Sequence, residues 1–182
     1  MRTKIKDLNE SYIGKTVTIC GWTRSIRNQK TFSFLEINDG SCFSSVQTIL
    51  DQEMPDFEEV KKQITTHTSV CIEGEVKESP AKGQAIELVA KRVTIIGLCD
   101  AESYPLQKKR HSFEFLRTIA HLRPRTNTQG AVIRVRGALS FASHKFFQEK
   151  GFVQISTPII TGSDCEGGGD LFQVTTLKKS QE

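Results

Sequence analysis

Residues 16–40 read TVTICGWTRSIRNQKTFSFLEINDG, and this stretch decides the fold of the N-terminal part of the chain. Apolar or small side chains alternate with polar ones over residues 15–27 and again over 32–37, which predicts two strands. The run Asn38-Asp39-Gly40 is typical of a tight hairpin, because these residues tolerate positive φ, and a returning strand is expected over 42–50. The stretch therefore predicts a meander of three strands.

The pattern changes after residue 51 and then returns to strands. Pro55, followed by acidic and apolar residues at helical spacing, predicts a short helix that continues to Ile64. Two more strands are expected, over residues 69–77 and 85–96. Three strands, a helix and two strands form the order of the OB-fold, a five-stranded Greek-key barrel whose open face commonly holds single-stranded nucleic acid. We therefore predict an all-β OB-fold over residues 1–100.

Aromatic and cationic side chains are concentrated on the first two predicted strands. An OB-fold uses both kinds of side chain, because rings stack on bases and cations meet the phosphate backbone. Phe32 and Phe34 share one face of their strand, since they are two residues apart. The alternative that Phe34 belongs to the barrel core stays open. The candidate nucleic-acid-binding residues here are Trp22, Arg24, Arg27, Phe32 and Phe34.

Length and composition favour a water-soluble protein. The 182 residues are 37% hydrophobic and 25% charged, which suits one complete domain and part of a second. No apolar run approaches the length that crosses a bilayer, and no apolar segment typical of a secretion signal follows the first residues. We expect a cytoplasmic protein without a membrane partner.

The five cysteines occur singly, with no Cys-x-x-Cys pair and no histidine at metal-ligand spacing, so no metal site is expected. An odd number of cysteines without a signal peptide indicates a reducing compartment, where most cysteines are free and act as small buried apolar groups. We expect this of the first four, and less so of the fifth, which lies in a glycine-rich loop. They are Cys20, Cys42, Cys71, Cys99 and Cys165.

The net charge of +4 is unevenly distributed. Residues 1–97 hold 13 basic and 13 acidic side chains, whereas residues 108–136 hold eight basic side chains against Glu114 alone. Guanidinium groups such as those of Arg123 and Arg125 suit phosphate oxygens, because they donate two parallel hydrogen bonds. This stretch is a candidate contact for a polyanion, and the alternative is a solvated linker.

A helix–strand unit is predicted in the C-terminal part. Apolar residues recur at helical spacing over residues 130–150, and Gly151 is placed as a C-terminal cap. Residues 152–160 are expected to form a strand, in which Pro158 favours an edge or an interface. A shorter helix is expected over 113–120.

The glycine-rich loop that follows, Ser163 to Asp170, contains one carboxylate with a candidate role. Glycines let a backbone move and approach a ligand closely, and the carboxylate of Glu166 can pair with an ammonium group.

The segments Gly21–Arg27 and Phe32–Gly40 resemble the N-terminal anticodon-binding domain of the asparaginyl-tRNA synthetases. Residues 130–172 resemble motif 1 of the class II synthetases followed by the mobile substrate loop of the asparaginyl and aspartyl members. The resemblance implies three parts: the OB-fold, a basic hinge over 101–129, and the truncated start of an α+β catalytic domain over 130–182.

The resemblance also implies roles in binding tRNA(Asn). Phe34 matches the position whose ring stacks on the central anticodon base, and Glu87 matches a glutamate near the anticodon. The third-strand position that often holds a base-reading glutamine falls at Ser44. Trp22, Arg24 and Arg27 join the anticodon site, and Arg123 and Arg125 are expected on the tRNA backbone.

For the catalytic part, the resemblance implies a homodimer through motif 1, with Phe146 and Pro158 at the interface. Ser163, Glu166 and Gly167 are expected in the loop that holds the amino-acid substrate. The family uses ATP and Mg²⁺, but its motifs 2 and 3 fall beyond residue 182. We therefore expect this chain to bind tRNA without catalysis and without ATP or Mg²⁺. The alternatives are a freestanding OB-fold binder of single strands and a fragment of an aspartyl-type synthetase.

Overall fold

The computed structural model describes residues 2–81, 83–162, 167, 172, 174 and 175. The chain divides into two compact units, Met1–Asn127 and Thr128–Glu182, and each is described by itself.

The first unit is built on a closed five-stranded barrel with the strand order β1-β2-β3-β5-β4, in which β4 pairs with β1. All neighbouring strands are antiparallel except β3 and β5, which are parallel. This topology confirms the predicted OB-fold. The strands are β1 (Thr16–Asn28), β2 (Phe32–Asn38), β3 (Val46–Asp51), β4 (Ser69–Glu78) and β5 (Ile86–Gly97).

The core lies inside the barrel and follows the alternation of the strands. On β2, Leu35 and Ile37 are buried together with Ser33, while the residues between them point outward. Helix α1 (Phe57–Gln63) adds Phe57 and Val60 to the same core. The largest fully buried apolar side chains are Ile19, Leu35, Ile37, Leu50, Ile72, Leu88, Val70 and Val76.

The connection between β2 and β3 is longer than predicted, because β3 begins at Val46 rather than at Cys42. The Asn38 side chain donates to the carbonyl groups of Cys42 and Ser44, at 3.2 and 3.0 Å, and accepts from the Gly40 amide at 2.8 Å. These bonds hold residues 39–45 as a loop, since they occupy backbone groups that a strand would need for its ladder.

The barrel closes tightly where β4 meets β5. The ladder is irregular between Glu73 and Gly74, and a Cβ atom on Gly74 would lie 2.5 Å from the Val89 carbonyl oxygen. Only glycine fits such an approach of two backbones.

The prediction that the first four cysteines are free is wrong for Cys20 and Cys71. Cys20 on β1 and Cys71 on β4 are directly opposite in the ladder and form a disulfide, and both lie on the outer face of the barrel. Cys42 and Cys99 are free and half-buried. The periodicity of each strand places its cysteine on the outer face, but the pairing follows from the register between β1 and β4.

Residues 98–126, here called the linker segment, belong to the first unit and pack on the barrel. The segment contains α2 (Phe113–Thr118) and a 3₁₀ turn at Arg123–Arg125. Leu106 and Leu116 are buried, and the Thr65 hydroxyl donates to the Cys99 carbonyl. The predicted helix over 113–120 is therefore present but two residues shorter.

Helix α3 (Asn127–Glu149) extends into the second unit, and no α3 residue is fully buried. Gly151, at φ 84°, ends the helix: its amide donates to Gln148 at 3.0 Å, and the Phe152 amide donates to Phe147 at 3.0 Å. The rings of Phe147 and Phe152 are 5.4 Å apart, which completes a Schellman cap.

The strand predicted over residues 152–160 is absent, since none of these residues is in a ladder. The five strands that the structure describes are all paired within the closed barrel, and an isolated strand leaves its backbone groups unpaired.

Candidate nucleic-acid interface

The outer face of β2 carries two phenylalanines. Phe32 and Phe34 alternate with the buried Ser33 and Leu35, so both rings are outside the core and half-buried. Their centroids are 5.1 Å apart with an edge-to-face angle of 74°. The alternative that Phe34 is a core residue is therefore wrong, since its ring lies on the outer face of the barrel.

Polar side chains lie beside this pair on β3 and β5. Phe34 is opposite Ile49 in the β2–β3 ladder and Glu36 is opposite Gln47, so Phe34 and Gln47 are diagonal neighbours on one face. The parallel pairing of Thr48 with Leu88 brings Gln47 next to Glu87.

Glu87 is a buried carboxylate held by hydrogen bonds. Gln47 Nε2 and Ser79 Oγ each donate to Glu87 Oε2 at 3.2 Å, and only 7% of Glu87 is exposed. A carboxylate only accepts, so the bond fixes the Gln47 amide with its nitrogen toward Glu87 and its oxygen as the free end. We call Phe32, Phe34, Gln47, Ile49 and Glu87 the β2–β3–β5 patch.

Gln47 was missed at the sequence level, where the third-strand position was assigned to Ser44. Ser44 lies in the loop before β3, where its carbonyl accepts from Asn38 and from the Cys42 thiol at 3.3 Å. The predicted third strand began at Cys42, four residues before β3 begins, and this error placed the third-strand position at Ser44. The alternation of Val46 to Asp51 contains the signal that identifies Gln47 as an outward residue.

Arg27 lies beside the patch, whereas Trp22 and Arg24 do not. Arg27 is exposed and stands opposite Phe34 in the β1–β2 ladder. Trp22 pairs with Asn38 at the other end of that ladder, beyond an irregularity in the register.

Trp22 and Arg24 instead contact the linker segment. The Arg125 guanidinium lies 4.9 Å from the centre of the Trp22 ring, and its Nη1 donates to the Tyr104 hydroxyl at 2.9 Å. Arg24 donates to the Arg125 carbonyl and to Asn127 Oδ1, both at 2.8 Å. These four side chains, Trp22, Arg24, Tyr104 and Arg125, form a cluster that we call the linker clasp.

His67 packs against the linker clasp. Its ring lies 4.4 Å from that of Tyr104, and its Nε2 is 3.0 Å from the Leu106 carbonyl. Burial lowers the pKa of His67; the bond to Leu106 opposes this, and the charges of Arg125 and Arg24 lower the pKa further. A surface cavity of about 450 Å³ opens beside these rings.

The two predicted backbone arginines differ in their surroundings. The Arg125 side chain is engaged in the clasp, whereas that of Arg123 makes no hydrogen bond or ion pair with any residue that the structure describes. Arg123 is half-buried on a 3₁₀ turn and keeps its guanidinium donors available.

The second unit holds the remaining predicted residues. Phe146 is 56% exposed on α3 and contacts Phe147, with ring centres 5.4 Å apart. Pro158 is exposed in the irregular segment after α3. Gly167 has φ 66°, while Ser163 and Glu166 lie outside the described residues.

The described residues lack two further kinds of feature. They contain no group of three or more His, Cys, Asp and Glu side chains that could hold a metal ion. No helix among them is both long enough and apolar enough to cross a membrane.

Comparison with known families divides the chain in two. A family described as an OB-fold nucleic acid binding domain matches residues 17–96. A family described as tRNA synthetases class II (D, K and N) matches residues 112–182.

Curated relatives match nearly the whole chain. The asparagine–tRNA ligase of Protochlamydia amoebophila is 56% identical over 186 residues, which is 99% of this chain and 40% of that protein. The asparagine–tRNA ligase of Syntrophobacter fumaroxidans is 57% identical over 170 residues, which is 93% of this chain and 36% of that protein. The chain thus spans about two fifths of the length of the relatives it matches.

A solved structure shows the same fold. Asparaginyl-tRNA synthetase from Pyrococcus horikoshii, complexed with asparaginyl-adenylate, superposes with a TM-score of 0.84 at 24% identity. The superposition covers 96% of this chain and 40% of that one.

Proposed function

Since this chain belongs to the asparagine–tRNA ligase family, we propose that its barrel binds the anticodon loop of tRNA(Asn). The observation that carries the proposal is the β2–β3–β5 patch, where an outward ring lies beside an oriented amide and a buried carboxylate. Stacking supplies affinity for an unpaired base, and hydrogen bonds to its edge supply selection.

The polarity of the patch favours particular base edges. The Gln47 amide nitrogen is used by Glu87, so the carbonyl oxygen of Gln47 faces outward as an acceptor. Both described bonds to Glu87 go to Oε2, which leaves Oε1 as a second acceptor. Two acceptors select a base edge that carries N–H donors, such as uracil N3–H or the N1–H and N2–H₂ of guanine.

Phosphate contacts come from cations around the patch. Arg27 is exposed beside Phe34, and Arg123 keeps its guanidinium available on the linker segment. Such contacts position an RNA without reading its sequence.

For the whole protein, we propose activation of asparagine with ATP and Mg²⁺, followed by its transfer to the 3′ end of tRNA(Asn) in the cytoplasm. The part described here supplies RNA recognition. The apolar residues of α3, with Phe146 and Pro158, form the homodimer interface, and the loop containing Ser163, Glu166 and Gly167 holds the amino-acid substrate. This chain by itself binds tRNA without activating asparagine.

The deciding experiment compares RNA hairpins by fluorescence anisotropy. We expect the chain to bind a GUU anticodon stem-loop more tightly than a stem-loop with the aspartate anticodon GUC or an unstructured oligonucleotide. Equal affinity for all three would favour a freestanding binder of single strands, and preference for GUC would favour an aspartyl-type protein.

A further inference from the structure

We propose that Cys20 and Cys71 form a reversible thiol–disulfide pair, open to exchange with small disulfides of the glutathione type. The proposal rests on the β1–β4 ladder and is independent of RNA binding.

The register brings the two sulfur atoms together. Cys20 and Cys71 are direct partners on antiparallel strands, with Cα atoms 4.1 Å apart. Their inward neighbours Ile19 and Ile72 are fully buried. The core therefore fixes the register, and the thiols stay adjacent in the reduced protein.

The pair is accessible from solvent. Both cysteines are half-buried on the outer face, and Cys71 lines an open surface pocket of about 230 Å³ with Thr18, Glu73, Arg92 and Thr94. A small reagent can reach the Cys71 sulfur there without opening the barrel, which is the condition for exchange in the folded state.

The reaction balances with one small disulfide. The Cys71 thiolate attacks one sulfur of oxidised glutathione, forming a mixed disulfide and releasing one glutathione thiolate. The Cys20 thiolate then attacks the Cys71 sulfur and releases the second. The two protons lost by the cysteines are taken up by the two glutathione thiolates, and the reverse steps reduce the pair.

The bond should also stabilise the barrel. It joins residues 51 positions apart and so closes a long loop of the unfolded chain. Closing a loop of that length raises an unfolding midpoint by on the order of 10 °C in a small domain.

The test uses the full 182-residue chain, folded, in buffers with different ratios of reduced to oxidised glutathione. After alkylation and peptide mass mapping, we expect Cys20 and Cys71 to be protected together under oxidising conditions, while Cys42 and Cys99 are alkylated. We expect Cys20→Ser to trap glutathione on Cys71, and Cys42→Ser to behave as the wild type.

The unfolding midpoint provides a second readout that needs no variant. It should be higher in the oxidised than in the reduced wild type, and the difference should vanish in Cys20→Ser. Full alkylation of both cysteines in oxidising buffer would overturn the proposal. So would a disulfide that dithiothreitol reduces only after the protein is unfolded.

Discussion

The ring of Phe34 and the hydroxyl of Thr48 lie on opposite faces of neighbouring strands, and their environments predict opposite consequences of mutation. Phe34 is half-buried on the outer face, so its ring contributes little to the core. Thr48 is fully buried, and its hydroxyl makes no hydrogen bond within the described structure.

Replacing Phe34 with alanine should weaken binding of the GUU stem-loop by about 1 to 3 kcal/mol, the range for losing one stack between a base and a ring. The matched control is Phe43→Ala, since Phe43 is 54% exposed but lies in the loop before β3. Anisotropy titrations and thermal melts of both variants provide the check. An equal loss of affinity in both would contradict the assignment of Phe34.

Thr48→Val should raise the free energy of unfolding by about 1 kcal/mol, because it removes a buried hydroxyl that has no partner among the described residues and keeps the branched shape. Urea denaturation compares the two proteins. The control is Thr68→Val. The Thr68 hydroxyl accepts a hydrogen bond from the Thr65 amide at 2.9 Å, so losing this hydroxyl should destabilise the protein. A destabilised Thr48→Val would show that the hydroxyl has a partner in solution.

At the scale of elements, backbone approach limits the β4–β5 ladder. Gly74→Ala should destabilise the barrel by about 2 kcal/mol or more, because a Cβ atom would clash with the Val89 carbonyl across the ladder. Gly97→Ala on the same ladder is the control, since its nearest neighbour would be Ser69 Cβ at 3.9 Å. Denaturant midpoints of the two variants provide the measurement. Equal destabilisation by Gly74→Ala and Gly97→Ala would refute the prediction of a clash at Gly74.

The packing of the linker segment on the barrel should depend on pH through His67. Its folded pKa is lowered, so the neutral ring is favoured in the folded protein and a proton is taken up on unfolding. The stabilising contribution of the neutral His67 ring is complete at pH values above the ordinary histidine pKa of about 6.5. It is lost as the pH falls through the lowered pKa of the folded protein.

Trp22 is the single tryptophan and lies in the linker clasp, so its fluorescence reports this packing directly. Unfolding monitored at Trp22 should show stability falling from pH 7 toward pH 5. His67→Gln should flatten that dependence, and a slope unchanged in the variant would assign it to another group.

The elements of the barrel could be predicted from the sequence, because strand alternation and turn residues are local signals. That Phe34 points outward follows from its neighbours Ser33 and Leu35. The start of β3 could not be predicted, since it depends on the bonds that Asn38 makes to the following loop.

Contacts between distant segments also could not be predicted from the sequence. Arg24 reaches a carbonyl 101 residues away, and Cys20 meets a cysteine 51 residues away. Both depend on how the barrel closes and where the linker segment returns. For this reason Trp22 and Arg24 were grouped with Phe34 from the sequence, although the structure places them in the linker clasp.

At the scale of the whole molecule, the uneven charge should appear as salt dependence of RNA binding. Arg123→Gln should reduce the slope of log affinity against log salt by about 1, as expected when one phosphate contact is lost. Arg125→Gln should change the slope less and lower the thermal stability, because this guanidinium stacks on Trp22 and binds Tyr104. Identical slopes for Arg123→Gln and the wild type would remove Arg123 from the interface.

The order of strands around the barrel also has a consequence for synthesis of the chain. β1 meets β4, so the β1 edge of the β1–β2–β3 meander stays open until residue 78 has been made. β3 has β5 as its second neighbour, so the β3 edge stays open until residue 97 has been made. A chain emerging from the ribosome therefore exposes at least one open strand edge until the last strand of the barrel has been translated. During that interval we expect the nascent meander to be prone to pairing with other unpaired strands, and the proposed RNA-binding face is complete only after the last strand has entered the barrel.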